Sequence, residues 1–165
     1  MDKTMKGNGQ PDSAEMSAAN GAAFEIVAHV RRRTFMGGDG GETSPLTEDV
    51  ARSVRFVEDH FAEAVALADM ARAAGCSKFH FIRKFTRETA ITPGAFLRGY
   101  RIVQAMERLA ASDHKIHDVG LETGYDDSAS FSRAFRKITG NSPYFYRLTH
   151  PRPRIALEEK RQAGC

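Results

Sequence analysis

The residues with the greatest chemical reach in this chain are cations gathered in one short stretch. Between Ser77 and Ala90, Lys78, Arg83, Lys84 and Arg87 stand against Glu88 alone, a net of +3. Between Glu48 and Glu63, five acids face Arg52 and Arg55, a net of −3. The whole chain carries only +3, so charge is sorted by element rather than spread evenly. Guanidinium and ammonium groups along one face suit phosphate, and a single basic face is the electrostatic footprint of a nucleic-acid binder. The competing reading is an ordinary solvated helix face.

Other chemistries find less support. His114 and His117 sit three residues apart, but no cysteine or third histidine completes a metal set, and both are expected to be solvated. His80 falls within the basic stretch, where phosphate contact or solvent is expected rather than catalysis. Gly37–Gly41 lacks the Gly-Lys-Ser/Thr ending of a phosphate loop and opens no helix. No Ser-His-Asp set is recognisable by spacing. Cys76 and Cys165 are too few for a disulfide framework or a zinc site, and reduced thiols are expected. The chain is not expected to be an enzyme, and no metal or cofactor is expected.

The elements that would carry the cations are helices. Thr92 to Ser112 reads as one long helix, with Thr92 as N-cap, Pro93 in the first turn, and Phe96, Tyr100, Val103, Met106 and Leu109 on one face. Similar sequence flanks it on both sides. Offset by 50, Phe81 matches Phe131, Arg83 matches Arg133, Phe85 matches Phe135, Thr89 matches Thr139 and Pro93 matches Pro143. Before each turn the offset is 49, pairing Leu67 with Ile116, Met70 with Val119 and Gly75 with Gly124, so the second copy has one extra turn residue. This is an internal repeat of a supersecondary unit joined by a rod.

At 165 residues, 41% hydrophobic and 27% charged, the chain has the composition of a soluble globular protein. No apolar run approaches the ~20 residues of a membrane span, and no hydrophobic signal core is seen, so a cytoplasmic protein is expected. Residues 1–45 read as a flexible, mostly disordered extension. Within it, Phe24–Val30 has the β-branched residues of a short strand but no partner strand; a remnant or a docking segment are the other readings. The folded part spans 46–150: a first unit over 46–91, a connector over 92–112 and a second unit over 113–150. Its first helix should be capped by Thr47 and bury Val50, Val54, Val57 and Phe61. Helices are then predicted over Leu67–Ala74, Ser77 to about Ala90, the connector, His114–Glu122, Asp127–Thr139 and Pro143–Leu148. The fold class is all-α with about seven helices. A basic tail, 151–165, carries Arg152, Arg154, Lys160 and Arg161 and is expected to end in a frayed helical turn.

A short helix, a glycine-containing turn and a second helix with basic residues outward form a helix-turn-helix pattern, whose second helix enters the major groove. Two copies with matched landmarks are far harder to obtain by accident than one. A connector of about 20 residues is ~30 Å long, against ~34 Å between successive major-groove faces on one side of the duplex. Because the two copies differ in sequence, the expected site is asymmetric.

Residues 48–148 resemble the DNA-binding domain of the AraC/XylS family of bacterial transcription regulators. The similarity lies in Gly124-Tyr125, Asp127, Phe131-Ser132-Arg133-x-Phe135-Arg136-Lys137, Gly140-x-Ser142-Pro143, Tyr146-Arg147 and the connector's Arg101-Ile102-x-x-Ala105. The first copy is similar to the short MarA/SoxS-type members without a sensory domain. Three positions depart from the family pattern: Ala90 where glycine is usual, Gly120 where alanine is usual and Ala129 where serine is common.

The resemblance implies a sequence-specific regulator that binds double-stranded DNA as a monomer, in the cytoplasm and on the nucleoid when bound, with RNA polymerase as a further candidate partner. It places Phe79, Ile82 and Arg83 of the first recognition helix, and Ser128, Ala129, Ser130, Ser132 and Arg133 of the second, at base-facing positions. Arginine can grip guanine O6 and N7 with two hydrogen bonds, whereas Phe79 and Ile82 could touch only thymine methyls or sugars. Core packing is the other reading for Phe79, and a structural salt bridge the other for the two arginines. Lys78, Lys84, Arg87, Arg136 and Lys137 are then phosphate contacts. The alternative function is a helical protein-interaction module that has lost DNA binding, supported only by apolar Ile82 and Ala129.

Overall fold

The computed structural model describes residues 25–34 and 45–150. The expectations placed on residues 1–24, 35–44 and 151–165, including the glycine run, the basic tail and Cys165, lie outside the described residues. Among the described residues the fold is eight helices and no strand. α1 occupies 25–34, α2 Glu48–His60, α3 Leu67–Ala74, α4 Lys78–Thr89, α5 Pro93–Ala111, α6 Ile116–Glu122, α7 Ser128–Thr139 and α8 Pro143–Thr149.

α1 corrects the expectation of a short strand at Phe24–Val30 and accounts for the eighth helix. Val27 and Val30, three apart, are buried in the core of the first unit. The side chain of Arg31 pairs with Glu58 at 2.5 Å and stands over the Tyr100 ring at 5.9 Å. Arg33 donates to the Glu88 carbonyl at the end of α4. β-branched residues favour strands only weakly, and burial of one helical face against a preformed unit overrides that preference. Thr47 also departs from expectation. It stands at the N-cap position of α2, but its hydroxyl bonds the Glu88 carboxylate at 2.9 Å instead of capping the helix.

The repeat holds in atomic detail. Phe81, Phe85 and Phe96 stack edgewise or tilted with centroids 5.5 and 5.8 Å apart; Phe131, Phe135 and Tyr146 do so at 5.7 and 5.6 Å. Thr89 Oγ1 donates to the Phe85 carbonyl at 2.8 Å and accepts from Ile91 N, while Thr139 Oγ1 donates to Phe135 at 2.8 Å and accepts from Asn141 N. Thr92 and Ser142 then cap the next helices by accepting from Ala95 N and Phe145 N, with Pro93 and Pro143 following. Gly75 and Gly124 take positive φ of 74° and 85°, and the extra residue of the second turn lies between Gly124 and the N-cap Asp127.

α5 serves both units. Phe96, Leu97, Tyr100 and Val103 belong to the first core, and Ile102, Ala105, Met106 and Leu109 to the second. The five expected face residues are all buried, and Leu97, Ile102 and Ala105 join them because a rod clasped by two cores is covered on more than one side. Gly120 shows how tightly the second core closes: a Cβ there would lie 3.0 Å from Phe131 Cδ1.

Candidate nucleic-acid interface

Each unit presents the helix after its turn, α4 or α7, with one stripe buried and the opposite stripe open. In α4, Phe81, Phe85 and Thr89 point inward. Lys78, Phe79, His80, Arg83 and Arg87 are exposed, and Ile82 is half-buried. Phe79 is 77% exposed, which removes core packing as its explanation. In α7, Phe131, Phe135 and Thr139 point inward. Ser128, Ala129, Arg133, Arg136 and Lys137 are exposed, while Ser130 and Ser132 are partly covered.

The N-termini of these helices are built by local chemistry. Ser77 accepts from the His80 amide at 3.4 Å to start α4. Asp127 starts α7 more firmly, accepting from the Ser130 amide at 2.8 Å and from its hydroxyl at 2.7 Å. The bond from the Ser130 amide holds the Asp127 carboxyl below its usual range, so the cap is charged at neutral pH. Arg133 Nη2 lies 3.2 Å from Ser130 Oγ, which links the cap to the arginine along one face. His117 of α6 reaches Ser128 across the turn, with Nδ1 and Oγ 2.7 Å apart. These ties within α7 were not legible in the spacing of Ser128, Ser130 and Arg133.

The cations divide into free and engaged groups. Among the described residues, Lys78, Arg83, Arg87, Arg136 and Lys137 form no ion pair. Lys84 differs from the expectation of a phosphate contact. Its side chain is only 20% exposed and its ammonium is paired with Asp49 of α2. That hydrogen bond holds the Asp49 carboxyl at about 2. A lysine tied across two helices locks α4 onto α2 and leaves little charge for a ligand. His114, just before α6, and His117 within it are both exposed, as expected; His114 lies 3.1 Å from Glu122, and His117 bonds Ser128 as above. Among the described residues no cluster of three His, Cys, Asp or Glu side chains could hold a metal ion, and no helix is long and apolar enough to cross a membrane.

This arrangement has close counterparts. A helix-turn-helix domain family matches residues 70–149. Residues 70–149 are an AraC-type helix-turn-helix domain. Over 105 residues it is 31% identical to YbfI of Bacillus subtilis, described as an uncharacterised HTH-type transcriptional regulator, covering 64% of this chain and 36% of that protein. An uncharacterised HTH-type transcriptional regulator of Staphylococcus aureus (strain COL) is 32% identical over 122 residues, which are 73% of this chain but 16% of that protein. The chain thus spans at most about a third of the length of these relatives.

Among solved structures, the C-terminal domain of the response regulator AraT from Geobacillus stearothermophilus superposes with a TM-score of 0.65 at 29% identity, covering 67% of this chain and 93% of that domain. The DNA-binding domain of AdpA, solved with a target DNA, superposes at 0.60 with 27% identity, covering 62% and 93%. The AraC-type fold therefore holds in this chain with its doubled unit intact.

Proposed function

We propose that this AraC-type chain is a sequence-specific transcription regulator that lays α4 and α7 into successive major-groove segments of an asymmetric duplex site. The observation that carries the reading is the duplication itself. Each unit holds up one helix whose outer stripe is open, and the α5 rod between them has 19 residues. At ~1.5 Å per residue such a rod is ~28 Å long, close to the ~34 Å repeat of one groove face. The AdpA domain, of the same fold, binds its target DNA. One chain supplies both helices, so a monomer suffices.

In this reading Arg83 and Arg133 read guanine edges, and Phe79 and Ile82 touch thymine methyls or sugars. Ser128, Ala129, Ser130 and Ser132 are short, so α7 reads fewer bases and leans more on the backbone. Lys78, Arg87, Arg136 and Lys137 hold phosphates, and Lys84 acts within the protein. Selection from a random duplex library, followed by titration of the winner at two salt concentrations, tests this. The expected result is two short unlike blocks about one helical turn apart, with affinity falling steeply as salt rises. A single enriched block would confine base reading to one unit. No enrichment and no salt-sensitive affinity would replace the proposal with a protein-interaction module.

A further inference from the structure

The face of α5 where the two units meet carries an arginine joint that base reading does not use. Arg101 donates from Nε to the Phe61 carbonyl at 2.8 Å and from Nη2 to the Glu63 carbonyl at 2.7 Å, gripping the chain as it leaves α2 in the first unit. The same guanidinium stands 5.8 Å from the ring centroid of Tyr125, in the turn of the second unit. Gly124 closes the gap: a Cβ there would lie 2.5 Å from the Phe61 oxygen and 2.9 Å from Arg101 Cζ. Two turns further along α5, Arg108 stands over the Phe61 ring at 5.6 Å and faces Glu122 of α6 at 3.6 Å. Two arginines of the rod therefore each touch both units at once, and no side chain at position 124 fits against Phe61 and Arg101 without displacing backbone.

We propose that Arg101 is a positioning residue that fixes how far apart, and at what relative rotation, α4 and α7 are presented, so that it sets the spacing preference between the two blocks of the site. The inference rests on the tandem major-groove reading above. A rod with a core at each end holds length well but resists rolling of one unit about it only weakly. A planar guanidinium that spans two carbonyls on one side and a ring on the other opposes that roll in a way a lysine ammonium does not. Each base pair inserted between the blocks moves one block by about 3.4 Å and turns it by about 34°. A locked pair of units cannot follow such a change, and the second unit's contribution is lost, on the order of 10²-fold in affinity.

The test measures binding of the full chain to the selected site with its blocks moved apart or together by one and two base pairs, and to each block alone. For the wild type a sharp optimum is expected. Arg101→Met keeps the aliphatic stem and should flatten the profile, so that a two-base-pair change costs less than about tenfold, with single-block affinities unchanged. Arg101→Lys, which keeps the charge but not the fork, should fall between. If Arg101→Met retains the wild-type spacing profile, the joint does not set spacing, while tandem reading stands. If it loses single-block affinity as well, Arg101 only supports the fold and the assignment fails. If the wild type shows no two-block site, the tandem reading fails and this inference with it.

Discussion

The two helix-turn-helix units share a skeleton and differ at most of the positions that face outward, the exposed pair Arg83 and Arg133 excepted. Their inner triads of rings, their threonine-bonded helix ends and their proline-led following helices superimpose position for position. Their outer stripes do not. α4 presents the long side chains of Lys78, Phe79, Ile82 and Arg83; α7 presents Ser128, Ala129, Ser130 and Ser132, with Arg133 as the sole long chain among the proposed readers. The first unit also has extra fastenings: the helix α1, the Lys84–Asp49 ion pair, and Arg52, whose guanidinium donates to the Ala73 and Ala74 carbonyls at the end of α3. The second has a stronger cap at the start of its exposed helix. A duplicated fold keeps the packing that both copies need and lets the solvent-facing positions diverge, because only buried volume is constrained by close packing.

The inner equivalence is the easiest half of this comparison to break. Phe85→Ala and Phe135→Ala each empty a fully buried ring site and should each cost about 3–5 kcal/mol in denaturant unfolding. Markedly unequal costs would mean that the two cores are not equivalent despite their matched geometry. The outer difference is tested by Arg83→Ala and Arg133→Ala. Each is expected to weaken specific binding by about 1–3 kcal/mol and to relax the base preference at one position, in different blocks of the site. Wild-type affinity and preference in both variants would overturn the assignment of readers.

A smaller effect sharpens the contrast in fastening. The Asp49 carboxyl is held at about 2 by its hydrogen bond to Lys84, below the 3.8 of a free group. A depressed carboxyl stabilises the fold fully above about pH 4 and loses that contribution as pH falls through about 2. Acid titration of stability should therefore show a loss of about 1–2 kcal/mol in that window, discounted for partial solvent screening, and Lys84→Met should abolish it. The second unit has Ala134 at the matching position, so its cross-helix stability should not follow this curve.

The smallest expected effects are opposite in sign. α4 ends at Ala90 with φ 62°, where α7 ends at Gly140 with φ 76°. A left-handed residue with a Cβ is strained, so Ala90→Gly should stabilise and Gly140→Ala destabilise, each by about 1 kcal/mol in thermal unfolding. Two changes of the same sign would show that the ends are not equivalent caps.

Much of this architecture is legible in the chain itself. The spacing of Phe81, Phe85, Phe131 and Phe135, the glycines at 75 and 124, the cap at Thr92 and the prolines at 93 and 143 are local signals, and the helices they imply are present. The misreadings have one cause: each depended on a partner far away in sequence. Val27 and Val30 suggested a strand until a core was there to bury them along one helical face. Thr47 looked like a cap until Glu88 stood beside it, and Lys84 looked available until Asp49 took its charge.

Residue types alone therefore fix the repeat, the helices from Glu48 onward and the AraC-type resemblance, because periodicity, capping and turn residues act over a few positions. Tertiary structure alone decided which cations stay free, where α1 docks and how the two units are held at Arg101. The acceptors of that arginine are the carbonyls of Phe61 and Glu63. Backbone oxygens carry no residue identity, so no pattern of side chains could have announced the joint.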